Sequence, residues 1–251
     1  VGELTRRRSA IAAAIVAGGV TLTACGGSGD EPAPTTSADL GAAATAPNPP
    51  TAGPITDPDA LRAALLTAAD LPPGFAPLPD PVADLGLDPA PDDGAADRPG
   101  TDPARCANVL DIVARQFPSA VTDAEGNFAG PGFTSIDVDA ASYPGTGAAD
   151  AFAVVQATFR ECRAYRGADA DGTPVQYRLE PLQQPPVGDA SASVRVTTTS
   201  EGFTLVSDAV LAVVGSTVVQ VVTTGPDPAD SVVLNGLART ATERIRSAAG
   251  T

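Results

Sequence analysis

The chain has 251 residues and a formal net charge of −15, with thirty acidic side chains against fifteen basic ones, every one of them arginine. It contains no lysine, histidine, methionine or tryptophan. The missing residue types exclude a Ser-His-Asp triad, an imidazole base, a histidine-bearing metal site, a Schiff-base lysine and a P-loop, and the acidic balance argues against nucleic acid and against electrostatic docking on anionic lipid.

The chain opens with a leader. Arg6, Arg7 and Arg8 precede an apolar run from Ala10 to Leu22, and Leu22-Thr23-Ala24-Cys25 closes it. A positive stretch followed by a short apolar one is a signal-peptide layout, and the run is too short to cross a bilayer comfortably. The last four residues match the bacterial lipobox, which implies acylation of the Cys25 thiol and removal of residues 1–24. Two or three acyl chains, at roughly 0.8 kcal/mol per buried methylene, hold a protein on a membrane where one chain is marginal. The expected location is therefore the extracytoplasmic face of the cell membrane, with Cys25 as the anchor. Val1 fits a GTG start, so the leader is expected to be complete, and Thr5-Arg6-Arg7 leaves the choice of Sec or twin-arginine export open. Without residues 1–24, twelve arginines face twenty-nine acids, a charge of −17.

Residues 25–55 read as the lipidated cysteine and a disordered tether of Gly, Ser, Thr, Ala and six prolines. As a flexible coil such a tether reaches roughly 30 Å. The folded domain is expected over 56–250. Asp57-Pro58 caps its first helix, with Leu61, Ala64, Leu65 and Ala68 on one face, and Leu71-Pro72-Pro73-Gly74 stops it. Residues 72–100 hold eight prolines and six aspartates. No fixed ligand spacing for calcium is visible there, so a solvated acidic loop is expected. Asp102-Pro103 opens a second helix with Cys106, Val109, Leu110, Val113 and Phe117 on one side.

Alternation of Ile136, Val138 and Ala140 against Ser135, Asp137 and Asp139 predicts a strand. Asp137 and Asp139 share a side; a metal or acid/base pair is one reading, and the wet face of an antiparallel strand is the plainer one. A third helix is expected from Gly147 to Tyr165, with Arg160, Arg163 and Arg166 near its end offsetting the macrodipole or holding an anion. Residues 168–172 resemble a calcium loop, but Pro174 stands where the loop needs glycine, and a turn is expected. Strands follow around Val175–Leu179, Val194–Val196 and Phe203–Leu205. Ala209–Val214 and Thr217–Thr223, joined at Gly215-Ser216, form an apolar hairpin at the centre of the sheet. Asp227-Pro228 caps a last helix carrying Leu234, Leu237, Ala241 and Ile245. The fold class is α+β: an antiparallel sheet of four to six strands packed by about four helices. Cys106 and Cys162, left over in an exported chain, are expected to form one disulfide. Two unpaired thiols or redox work are the alternatives, and no C-x-x-C supports the latter.

In layout the sequence resembles the extracellular sensor domain of mycobacterial PknH-type receptor kinases and of actinobacterial lipoproteins that share it. The resemblance covers about residues 56–248. It rests on Leu65-Leu66-Thr67-Ala68-Ala69-Asp70-Leu71-Pro72, on Cys106, on Phe159-Arg160-Glu161-Cys162, on the Val/Thr-rich hairpin and on the capped last helix. It implies a mixed α/β module with a cleft for an unidentified ligand. Two departures stand out. The kinase domain carries two disulfides where only Cys106 and Cys162 can pair here, and neither a kinase domain nor a spanning helix is read in this sequence. A signalling output is therefore not carried over.

The function expected is a membrane-anchored, non-catalytic, monomeric ligand-binding domain without a cofactor, whose ligand is an unknown small molecule or envelope lipid. Its rivals are a carrier of apolar envelope lipids, a structural or interaction protein of the envelope with no pocket, and a carboxylate-based hydrolase. Three tyrosines and no tryptophan give little aromatic surface for stacking sugars. Cys25→Ser is expected to move the protein from the membrane fraction to the soluble one on fractionation; tight retention of the variant would sink the anchor.

Overall fold

The computed structural model describes residues 39–78, 100–169 and 171–250. Cys25, the leader and most of the proline-rich acidic stretch lie outside them. The strands are β1 (Ala76–Pro77), β2 (Gly100–Asp102), β3 (Thr122–Ala129), β4 (Ser135–Ser142) and β5 (Ala164–Ala168). They continue with β6 (Pro174–Pro181), β7 (Ala190–Ser200), β8 (Phe203–Val214) and β9 (Thr217–Gly225). All nine form one antiparallel sheet in the order β1-β3-β4-β9-β8-β7-β6-β5-β2. The α-helices are α1 (Pro58–Ala63), α2 (Val113–Gln116), α3 (Gly147–Glu161) and α4 (Ser231–Ala248).

The apolar hairpin takes the central place its composition predicts. Val210, Ala212, Val214, Val219 and Val221 point to one side, and Ala209, Leu211, Val213, Val218 and Val222 to the other. Strands apolar on both faces need a cover on each. On the first side α1 and α4 bring Leu61, Leu234, Leu237 and Ile245 against the sheet; on the second α2 and α3 bring Val113, Phe152, Val155 and Phe159. Each fully buried Val, Leu or Phe contributes roughly 1.5–3 kcal/mol. At the hairpin turn Gly215 has φ +57°, and a Cβ there would meet Ala52 Cβ at 2.6 Å, so glycine is required twice over.

Several elements differ from the sequence expectation. The sheet has nine strands rather than four to six. β1 and β2 are edge pieces of two and three residues, and β3 is rich in Asp, Glu, Gly and Asn, poor strand formers that are accepted because Ala124 and Phe128 reach the core. β5 occupies the end of what reads as the third helix, which stops at Glu161. The second helix is broken. A 3-10 turn over Ala104–Asn108 is followed by a left-handed Leu110 (φ 62°) and only then by the four residues of α2. The last helix is capped by Asp230, whose carboxylate accepts from the Val232 and Val233 N–H groups, rather than by Asp227.

The packed body also begins earlier than residue 56. The Gln156 amide accepts from Ala44 N–H at 2.9 Å and donates to Ala44 C=O at 3.0 Å. Ser216 donates to Ala52 C=O, and Ser142 accepts from Ile55 N–H. Ala46 and Ile55 are buried. A proline- and alanine-rich stretch reads as a free tether because its own side chains bury little; here side chains of the body satisfy its backbone.

Cys106 and Cys162 form the expected disulfide, joining the 3-10 turn to the end of α3 across 56 residues. A loop of that length corresponds to roughly 4 kcal/mol in the chain-entropy account. Cys106→Ser and Cys162→Ser are expected to lower stability in urea by similar amounts, with the double variant no worse than either alone. Free reaction of native thiols with a maleimide would contradict the pairing.

Candidate functional site

Cover is thin on the α2 side of the sheet. There β3, β4 and β9 turn Glu125, Asn127, Asp137, Asp139 and Gln220 to the same face, since Asp139 is opposite both Glu125 and Gln220, and Asp137 opposite Asn127. The segment 106–115 runs beside them. Between this segment and the sheet lies a groove with two lobes. The first, about 330 Å³, is lined by Asp111, Arg115, Glu125, Asp137, Asp139 and Gln220 among others. The second, about 360 Å³, is lined by Cys106, Val109, Tyr165 and Tyr177. Leu110, Asp111 and Arg115 line both, so the lobes adjoin at these residues. A further cavity of about 200 Å³ lies beside residues 40–44 where they cross α3, next to the backbone that Gln156 clamps.

Asp139 is buried, which corrects its reading as a solvated residue of an open strand face. Its Oδ1 accepts from Val113 N–H at 2.8 Å, and its Oδ2 from Gln220 Nε2 at 3.0 Å. Asp139 thus caps α2, four residues with no side-chain cap of their own, from 26 positions away. Tyr143 holds the other end of α2, its hydroxyl donating to the Phe117 C=O at 3.0 Å. Burial pushes the Asp139 carboxyl up to about 7, against the two hydrogen bonds and with added repulsion from Glu125 and Asp111. Asp137, partly buried and accepting from the Ser135 hydroxyl at 2.9 Å, is also raised, again chiefly by burial.

Arg115 sits between the lobes, 3.1 Å from Asp111 and 4.0 Å from Glu125. In the second lobe Tyr165 and Tyr177, a cross-strand pair, stack with centroids 4.4 Å apart and planes 8° from parallel. Burial raises both phenols above their ordinary range. Gln220 is almost wholly buried, and its Oε1 has no hydrogen-bond partner.

Of the residues singled out in the sequence, Asp137 and Asp139 enter the groove and Cys106 lines it. Cys162 holds Cys106 in place from the end of α3. The arginine run disperses: Arg160 donates to Gln156 C=O and Gly41 C=O, Arg163 lies beyond α3, and Arg166 is in β5. In residues 169–173, Asp169 accepts from Asp171 and Thr173 N–H in a turn, as expected. Glu125, Gln220 and the tyrosine pair carried no signal in the sequence, because sheet register alone brings them together.

The backbone defines a class of fold already solved. It is similar to the crystal structure of the extracellular domain of PknH from Mycobacterium tuberculosis, with a TM-score of 0.54 over 78% of this chain and 97% of that one, at 12% identity. A second similarity is to the X-ray structure of an uncharacterised protein of Mycobacterium smegmatis, the Rv0999 ortholog, with a TM-score of 0.36, 17% identity and coverage of 76% of this chain and 97% of that one. No protein-family model matches the sequence, and no curated protein matches it.

The raised Asp139 carboxyl sets a pH dependence. Its folded pKa lies above the unfolded one, so the native state holds the extra proton between about 4 and about 7, and stability falls as pH rises through that window. Asp139→Asn removes the charge and keeps the shape. Urea midpoints measured from pH 4 to pH 8 are expected to show a smaller loss on alkalinisation for the variant than for the wild type. Parallel curves would refute this role for Asp139.

Proposed function

We propose that the chain is the ligand-binding body of an extracytoplasmic protein held to the membrane through Cys25, and that it binds a small molecule in the groove without transforming it. The observation that carries the reading is the groove. It is a two-lobed depression with aromatic, apolar and ionisable walls beside the segment 106–115, and each lobe is within the size range of small-molecule sites. The lipobox, the disulfide and the likeness in fold to an extracellular domain support placement outside the cytoplasm.

Two features support binding over catalysis. The carboxyl with the most displaced pKa, Asp139, has both oxygens engaged in holding α2 and Gln220, which leaves it poorly placed to exchange a proton with a substrate. Asp111 and Glu125 flank Arg115, as in an ion-pair network. The mixture of charged and apolar walls also suits a small polar or amphiphilic molecule better than the long acyl chains of a lipid carrier.

Native mass spectrometry of the protein taken from its own envelope, followed by organic extraction, tests the reading. The expected result is a co-purifying small molecule that is recovered chemically unchanged and is lost from an Asp137→Asn, Tyr177→Ala double variant. A ligand that survives those substitutions, or a clean mass after gentle isolation, would count against the groove.

A further inference from the structure

We infer, on the reading that the groove holds a ligand, that its occupant is an organic cation: a small molecule whose amine or guanidinium faces Glu125 and Asp137 and whose apolar or aromatic body lies past Leu110 toward Tyr165 and Tyr177. The first lobe offers chiefly acceptors. Glu125 and Asp137 bring two carboxyl groups to its sheet wall, with Asp111 beside them, while both oxygens of Asp139 are already hydrogen-bonded. The cation lining it, Arg115, already contacts Asp111 and Glu125. The Ser207 and Thr224 hydroxyls hydrogen-bond to each other at 2.8 Å.

A second observation points the same way. Gln220 stands on the lobe's sheet wall, almost wholly buried, with its Nε2 donating to Asp139 and to the Asp111 C=O while its Oε1 accepts nothing. An orphaned buried acceptor has a free-energy cost that a donor group arriving in the lobe would offset. A donor with positive charge suits the Glu125, Asp137 and Gln220 acceptors of this wall better than an anion does, with Arg115 already placed beside Asp111 and Glu125. The charge of −15 on the whole chain adds long-range attraction of the same sign.

The second lobe selects the body. The tyrosine pair and Leu110 give apolar and π surface in the lobe adjoining the acidic end, and aromatic faces also favour a nearby cation. Among the described residues no group of three or more Cys, Asp and Glu is placed to hold a metal ion.

Three probes of one shape separate this inference from the reading beneath it. Benzylamine, benzyl alcohol and benzoate are titrated into the full chain while backbone amide shifts are followed by NMR. Benzylamine is expected to bind best, by at least about tenfold, with shifts at Gln220 and Leu110. Glu125→Gln and Asp137→Asn are each expected to weaken it by about tenfold, and Glu243→Gln, on the opposite side, to leave it unchanged. Equal or tighter groove binding by benzyl alcohol or benzoate overturns the cation and leaves the groove standing. Loss of benzylamine binding in Glu243→Gln to the same degree reduces the effect to overall charge and also overturns it. Absence of groove shifts with all three probes removes both.

Discussion

A hairpin that is apolar on both faces dictates most of this molecule. From Ala209 to Val222, β8 and β9 have no side to give to solvent, so layers of helix must lie above and below them. The two layers are not equal. On one side the eighteen residues of α4, with α1 beside it, cover the central strands and reach β3. On the other, α3 covers β8 and β9, but the cover over β4 and β3 shrinks to the four residues of α2. The groove is what remains uncovered. Its position therefore follows from the length of one helix.

Two buried aspartates show how polar groups fasten this arrangement, by opposite electrostatic means. Asp208, on the α4 side, accepts from Arg195 Nε at 2.6 Å and from its terminal nitrogen at 2.7 Å, and takes a third hydrogen bond from Ala229 N–H just before the Asp230 cap. A paired charge in fork geometry ties β7, β8 and the entry to α4 together, and the arginine is held more firmly protonated by it. Asp139 on the groove side has neutral partners, and its carboxyl rises toward neutrality. Burial of an ion without a counter-ion shifts its protonation, whereas burial with one does not need to. The α4 side carries the matched pair and the groove side the mismatched one.

What could be read from the sequence was whatever its own neighbours decide. Strands β4, β6, β7, β8 and β9, the Asp57 cap, the Gly215 turn and the start of α3 all follow from local period and turn chemistry. β3 was missed because Asp123, Glu125, Gly126 and Asn127 depress strand propensity, and only pairing with β4 rescues it. The break between Cys106 and Val113 was missed for the converse reason: the apolar spacing is helical, yet the disulfide and the cap from Asp139 hold the chain in a turn, a left-handed residue and a short helix. The anchor residue Cys25 lies outside the described residues. At the groove, Asp137 and Asp139 were visible as a pair on one side of a strand. That one of them is buried depends on α2, and α2 depends on contacts 26 and more positions away.

The same dependence explains why the groove wall keeps its shape. Residues 106–115 hold only the end of a 3-10 turn and most of a four-residue helix, and would not stay in place by helix propensity, since so short a helix is unstable alone. Three fasteners reach them from outside. The disulfide fixes Cys106 to the end of α3, Asp139 fixes the first N–H of α2, and Tyr143, fully buried, fixes the Phe117 carbonyl that follows its last residue. Gly147 serves the last of these, because a Cβ there would come within 2.7 Å of Tyr143 Cβ. Between the first and second fasteners sits Leu110, left-handed at φ 62°, on the ridge shared by both lobes. A non-glycine residue persists there only when its surroundings over-determine it. A wall pinned at both ends, with its one strained residue where the lobes meet, is preorganised, so a ligand entering the groove need not spend much of its binding free energy on ordering it.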